Sequence, residues 1–231
     1  MIGIIANPTE HSVVREFFEL FKTPWEFYRS DRKYEVIVCA ADTDFDKDTA
    51  KVTLIYSGQK LTFDSKESIE ITSQPRNNRV LSHNGRQIPI YGDCITFQGE
   101  GSSVLRDEES RLPAIDLGRS AGGIVGRIGY NLFDEVRTLL TTGQPVANAA
   151  MPALDLHIAL LRDLIVAAGV PLVEIPPVPD GYRFIACLTH DVDHPSIRLH
   201  RLDHTMFGFL YRALFGSLLD TVQGRMSFRN L

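Results

Sequence analysis

No stretch of the sequence approaches the ~18–20 uninterrupted apolar residues that a membrane span needs. Its first residues run straight into a strand-like segment, with no basic region and cleavage site ahead of it, so a cytoplasmic protein is expected. Cysteine is scarce: Cys39, Cys94 and Cys187 lie far apart in apolar, strand-like runs. That number and spacing argue against a disulfide framework or a zinc knuckle and predict reduced, buried thiols. Positive charge is also in short supply, with 24 Lys and Arg against 29 Asp and Glu and a net charge of -5. The basic residues are scattered, which speaks against nucleic acid or an anionic membrane as a partner. Repeats and low-complexity tracts are missing too. What remains is an ordinary globular composition, 44% hydrophobic and 23% charged over 231 residues, with room for one large or two modest domains.

The opening run Ile2-Gly3-Ile4-Ile5-Ala6 predicts a strand. Asn7-Pro8 ends it, and Thr9 is placed to cap a helix carrying Val13, Phe17, Leu20 and Phe21 at helical spacing. Trp25 to Tyr28 and Tyr34 to Ala40 follow, the second apolar at consecutive positions as a strand covered on both faces would be. From residue 51 the period shortens to two. Val52, Leu54 and Tyr56 alternate with Thr53 and Ile55, and Ser57-Gly58 leads into Leu61-Thr62-Phe63 as a hairpin would. Asn84-Gly85 predicts a second hairpin, whose return strand carries Pro89 and so belongs at an edge or a bulge. The glycines at 118, 122, 123, 126 and 129 match neither a P-loop nor a dinucleotide fingerprint and read as a structural turn rather than an anion cradle. A long helix is expected over Pro152 to Ala168, stopped by Gly169, with His157 at its surface or at an interface.

Ile175-Pro176-Pro177-Val178-Pro179 can continue neither a helix nor a central strand, and marks a boundary between an α/β domain at 1–178 and a second unit at 179–231. The second unit opens with a predicted buried strand, Arg183 to Thr189, that delivers His190, Asp191 and Asp193 at its carboxyl end. In extended backbone the two carboxylates share one face, close enough to hold a cation together or to divide into one ligand and one base. Four of the seven histidines, His190, His194, His200 and His204, fall in the same short segment.

The run Leu188-Thr189-His190-Asp191-Val192-Asp193-His194-Pro195 resembles the first motif of the NodB-like polysaccharide deacetylases, in the variant with one residue between the aspartates. The resemblance implies Asp191 as catalytic base, Asp193 as ligand to a divalent metal, commonly zinc, and hydrolysis of an N-acetyl group on a carbohydrate substrate. It also implies a histidine pair four residues apart. His200 and His204 have that spacing but lack the flanking Ser/Thr and Pro. The resemblance covers only about the last fifty residues. The expected fold is therefore a mixed α/β domain with antiparallel hairpins, followed by the first strand and helix of an incomplete β/α-barrel, inactive as this fragment. Two alternatives stand beside it. One is a magnesium- or manganese-dependent Asp-x-Asp enzyme, either a phosphatase or a nucleotide-sugar transferase. The other is a noncatalytic module at 1–178 that binds a glycan or a partner, with Trp25, Phe27, Tyr28 and Tyr91 as the aromatic candidates.

Overall fold

The computed structural model describes residues 1–98, 104–176, 178–189 and 202–223. The chain divides into two compact units, Met1–Pro176 and Pro177–Leu231. In the first unit, β1 (Ile2–Ile5), β2 (Trp25–Phe27), β3 (Val36–Cys39) and β4 (Val52–Tyr56) pair in parallel. The chain then leaves this sheet to build a small antiparallel one from β5 (Arg79–His83), β6 (Arg86–Ile90) and β7 (Arg106–Asp107). It returns through β8 (Ile115–Arg119) and β9 (Ile124–Ile128), β9 lying parallel beside β4 and β8 antiparallel at the edge. The order β2-β1-β3-β4-β9-β8 is that of a doubly wound α/β sheet, with one antiparallel strand at its end.

Burial explains why these segments are strands. Every residue of β3 and β4 is buried. Ile2, Ile4, Val36, Val38, Val52, Leu54 and Tyr56 join the main core, together with residues of the helices α1 (His11–Phe21), α3 (Leu132–Thr141) and α4 (Ala153–Ala167). The alternate residues Ile37, Cys39 and Ile55 face smaller clusters with Tyr34, Phe45, Leu61 and Phe63. The sheet is thus covered on both faces, and the mixed α/β class expected from sequence is the one observed.

Two details of the expectation change. The period-two run at Val52–Tyr56 is not half of a hairpin: β4 lies in the middle of the parallel sheet, with Thr53 and Ile55 as buried as Val52 and Leu54. Alternation misleads here because the second face is covered too. The segment taken for the partner strand is instead a short helix, α2 (Thr62–Lys66), in which the Asp64 carboxylate accepts the Leu61 N–H at 2.8 Å. The start of the first helix also differs, since a turn begins at Pro8 and Glu10, not Thr9, accepts the Asn7 N–H at 2.9 Å.

Other features match the reading. Asn84 and Gly85 take φ of 49° and 75° between β5 and β6, and Pro89 sits on β6, the edge of its sheet. Gly169, at φ 79°, follows the end of α4. The glycine-rich run forms the β8–β9 hairpin and its exit. A Cβ at Gly129 would lie 2.1 Å from the Ile95 carbonyl oxygen, and the Asn131 side chain already caps α3 by accepting the Phe133 N–H at 2.9 Å.

In the second unit, the residues anticipated as a buried strand, Arg183–Thr189, are exposed and form no strand. A buried strand needs paired neighbours and cover on both faces. Among the described residues this unit offers only α5 (His204–Tyr211), a π-helical turn at Arg212–Gly216, and α6 (Ser217–Val222). Cys187, expected to be buried, is therefore exposed, whereas Cys39 and Cys94 are buried as anticipated.

Candidate functional site

Asp191 and Asp193, the proposed base and metal ligand, lie outside the described residues, as do His190, His194 and His200. Of the flanking segment, Leu188 is exposed, and His204 opens α5 behind Asp203, whose side chain caps the helix by accepting the Met206 N–H at 2.9 Å. Among the described residues, no group of three or more His, Cys, Asp and Glu side chains is placed to hold a metal.

The described geometry is richest at the carboxyl edge of the main sheet, where α/β folds place their ligands. The loop after β3 carries Asp42, Asp44 and Asp46. Asp42 accepts the Thr62 hydroxyl at 2.6 Å, and Asp44 pairs with Lys66 at 2.8 Å. Lys47 pairs with Glu67 across the same cleft, which measures about 220 Å³. At the end of β1, Glu10 is buried and also accepts from the Asn131 side chain at 3.0 Å. Cys39 closes β3 with its thiol pointed at the Ala41 carbonyl, and burial pushes its pKa up to about 11, so it is no thiolate nucleophile at neutral pH.

Beside this, Arg127 on β9 forms a buried clamp. Its Nε donates to Asp64 Oδ1 at 2.8 Å and Nη2 to Asp64 Oδ2 at 3.1 Å. Nη1 donates to the carbonyls of Ser57 and Ile128, and Nη2 also to that of Gln59 at 2.7 Å. All five guanidinium N–H groups thus have partners, which is what lets a charge sit at 1% exposure. The clamp sets the path of the loop leaving β4. That loop borders a second cleft, of about 670 Å³, lined by Gln59, Lys60, Glu70, Thr72, Gln74 and Gln98 over an apolar floor that includes Ile71 and Ile95. Its two rims are fixed to each other: the Thr72 N–H donates to the Thr96 carbonyl at 2.9 Å, and the Gln98 N–H to that of Glu70 at 2.8 Å.

Sequence reasoning missed the buried polar groups. His157, expected at the helix surface or at an interface, is 1% exposed inside α4, where the helix meets Tyr130, with Nδ1 3.1 Å from the Tyr130 hydroxyl. Burial drives its pKa down to about 4, leaving the ring neutral at pH 7. The buried face of α4 is wider than the stripe expected, taking in Ala153, His157, Leu160 and Leu164 beside Ile158, Leu161 and Ile165. Glu135 is buried in α3, where burial raises its pKa against the lowering effect of the Tyr91 and Gly92 N–H groups it accepts, at 2.8 and 2.6 Å. The His83 ring nitrogens lie 2.6 Å from the Val104 carbonyl oxygen and 2.9 Å from Asp163, so neither is left to serve a nucleophile. The aromatic candidates are largely structural. Trp25 stacks on Phe18 at 4.9 Å and meets Phe27 edge-on at 5.2 Å, and the Tyr91 hydroxyl accepts from Asn148 at 3.1 Å. No helix among the described residues is long and apolar enough to cross a membrane.

No protein-family model matches the chain, and no curated protein matches it. Solved structures do. An exo-β-1,4-mannosidase from an Opitutaceae bacterium aligns with 71% of this chain at 10% identity and a TM-score of 0.51, over 36% of its own length. β-Galactosidases from a psychrophilic Marinomonas and from the haloarchaeon Halorubrum lacusprofundi align with 76% and 75% of the chain, each at 12% identity and a TM-score of 0.47. The chain matches 30% and 31% of those two proteins, about a third of the length of each structure it resembles. At such identities the likeness is one of fold.

Proposed function

We propose that the chain is part of a carbohydrate-active hydrolase. Met1–Pro176 is its accessory α/β module, and the segment around Asp191 and Asp193 is the first acidic motif of a metal-dependent carbohydrate N-deacetylase. The observation that carries this reading is the eight-residue run Leu188 to Pro195, with two aspartates one residue apart and a histidine on either side. Two things support it. The polar groups buried in the first unit are largely committed to one another, as in the Arg127–Asp64 clamp and the His83–Asp163 contact, which suits a scaffold better than a reaction centre. The solved structures of similar fold include a mannosidase, so a carbohydrate substrate is compatible with this type of module.

In this reading Asp193 would hold the metal and Asp191 would accept a proton from the water that attacks the amide. A bound divalent ion, zinc in the first instance, supplies Lewis acidity to the amide carbonyl and acidity to the water. Zinc titration of the whole chain by calorimetry tests the assignment. One ion per chain is expected, weakened at least about tenfold in Asp193→Ala because a direct ligand is lost. Asp191→Asn should keep its zinc. Equal zinc binding by wild type and Asp193→Ala would remove Asp193 from the site and the proposal with it.

A further inference from the structure

The 670 Å³ cleft beside the β4 exit is of the size that holds a mono- or disaccharide, and its chemistry is selective. Three carboxamides, Gln59, Gln74 and Gln98, and the Thr72 hydroxyl offer both donors and acceptors without charge. Lys60 and Glu70 are of opposite sign, so the cleft as a whole has no preference for an anion or a cation. Its apolar floor is aliphatic, from Ile69, Ile71 and Ile95, and none of the described residues that line it is aromatic. Among the described residues, the side chains of Gln74, Gln98, Lys60 and Glu70 make no hydrogen bond or ion pair, while the backbone of Gln98 is tied to that of Glu70, and Thr72 and Arg76 on either side of Gln74 are tied to Thr96 and Cys94. The isolated bridge Ile71↔Phe97 and the contact of the Thr72 and Thr96 hydroxyls at 3.1 Å lock the two rims together. Gln59 is held from below, its carbonyl accepting from Arg127 and its amide nitrogen donating to Asp93 at 2.5 Å. Neutral side chains with open hydrogen-bonding groups over an aliphatic floor suit a hydroxyl-rich, uncharged ligand; the paired rims keep the shape of the cleft, while ordering the exposed Gln74 and Gln98 side chains is a cost that their new hydrogen bonds offset.

We infer that this cleft is a sugar-binding subsite of the first unit, separate from the acidic motif, which holds a neutral saccharide through the Gln59, Gln74 and Gln98 carboxamides. The choice of an N-acetylated sugar as probe rests on the deacetylase reading; the subsite itself does not. The test is titration of the full chain with N,N′-diacetylchitobiose, and in parallel with cellobiose, which lacks the acetamido groups. Amide shifts in two-dimensional NMR report where each binds. Both Gln74 and Gln98 are exposed, so Gln74→Ala/Gln98→Ala leaves the fold intact, as an unchanged spectrum elsewhere verifies. The expected result is a set of shifts confined to residues 59–60, 69–75 and 95–98, with affinity about tenfold weaker in the double variant, the size of losing two neutral hydrogen bonds. Binding of either sugar in that pattern supports the subsite; a preference for the acetylated one adds its specificity. Asp193→Ala should bind sugar as wild type does, whatever it does to zinc, which separates failure of the subsite from failure of the metal assignment. No shift with either sugar, or equal affinity in the double variant, overturns the inference.

Discussion

Arg127→Met removes the centre of the β4–β9 clamp, and its cost can be worked from the contacts. The side chain is 1% exposed and its partner Asp64 is fully buried. Methionine keeps much of the volume but leaves the Asp64 carboxylate without its cation, and takes one donor each from the carbonyls of Ser57, Gln59 and Ile128. Among the described residues, the donor left to the Asp64 carboxylate is the Leu61 N–H. Breaking one side of a buried pair costs about 3–5 kcal/mol, because the remaining charge is stranded in a medium that solvates it poorly. For a unit of this size each kcal/mol lowers Tm by about 2–4 °C, so a fall of about 6–20 °C is expected. The single tryptophan, Trp25, packs against the core of the same unit and reports its unfolding, which makes urea denaturation followed by Trp25 fluorescence the appropriate assay. Asp64→Leu combined with Arg127→Met removes both charges and should recover most of the loss. A single variant within about 1 kcal/mol of wild type, or a double variant no better than the single, would refute the reasoning.

Three further outcomes follow from the same structure. His157 stays neutral in the folded unit down to about pH 4, whereas the unfolded ring takes up a proton near its ordinary value of 6.5. Its contribution is therefore complete above pH 6.5 and is lost as pH falls toward 4, about 3 kcal/mol over that window, and His157→Gln should flatten the pH dependence of stability there. Gly129→Ala places a Cβ 2.1 Å from the Ile95 carbonyl oxygen and should destabilise by about 2 kcal/mol or more, while Gly118→Ala, with nothing within 4 Å, should change stability by less than about 1 kcal/mol; thermal melts of the pair compare them. Thiol titration with a disulfide reagent on the folded chain should show one fast cysteine, the exposed Cys187. Cys39 and Cys94, which burial pushes up to about 11 and about 12, should react only on unfolding; rapid reaction of more than one would contradict their burial.

Much of the first unit could be read from local chemistry. The β3 run is apolar at every position because both faces are covered. Asn84-Gly85 specifies a tight turn, since both residues must take positive φ. Gly169 follows α4 for the same reason. The errors share a cause, which is that burial on a second face is decided by residues distant in sequence. Thr53 looked like the polar side of a hairpin strand and is instead fully buried, its hydroxyl donating to the Lys47 carbonyl. For His157 local sequence left surface and interface both open, and it is Tyr130, 27 residues away, that seals it in. Arg127 and Asp64 lie 63 residues apart, and nothing local announces their pairing. For the acidic motif the position reverses. Asp191 and Asp193 were legible as a site from type and spacing alone, while the strand expected to carry them is an exposed segment at 183–189.

X-ray absorption at the zinc edge of the loaded chain tests the metal assignment at the ion itself. With Asp193 as ligand, the first shell consists of oxygen and nitrogen at about 2.0–2.2 Å, and Asp193→Ala loses that spectrum or its zinc. A sulfur shell at about 2.3 Å, placing the exposed Cys187 on the metal, or a spectrum unchanged in Asp193→Ala, would contradict the account.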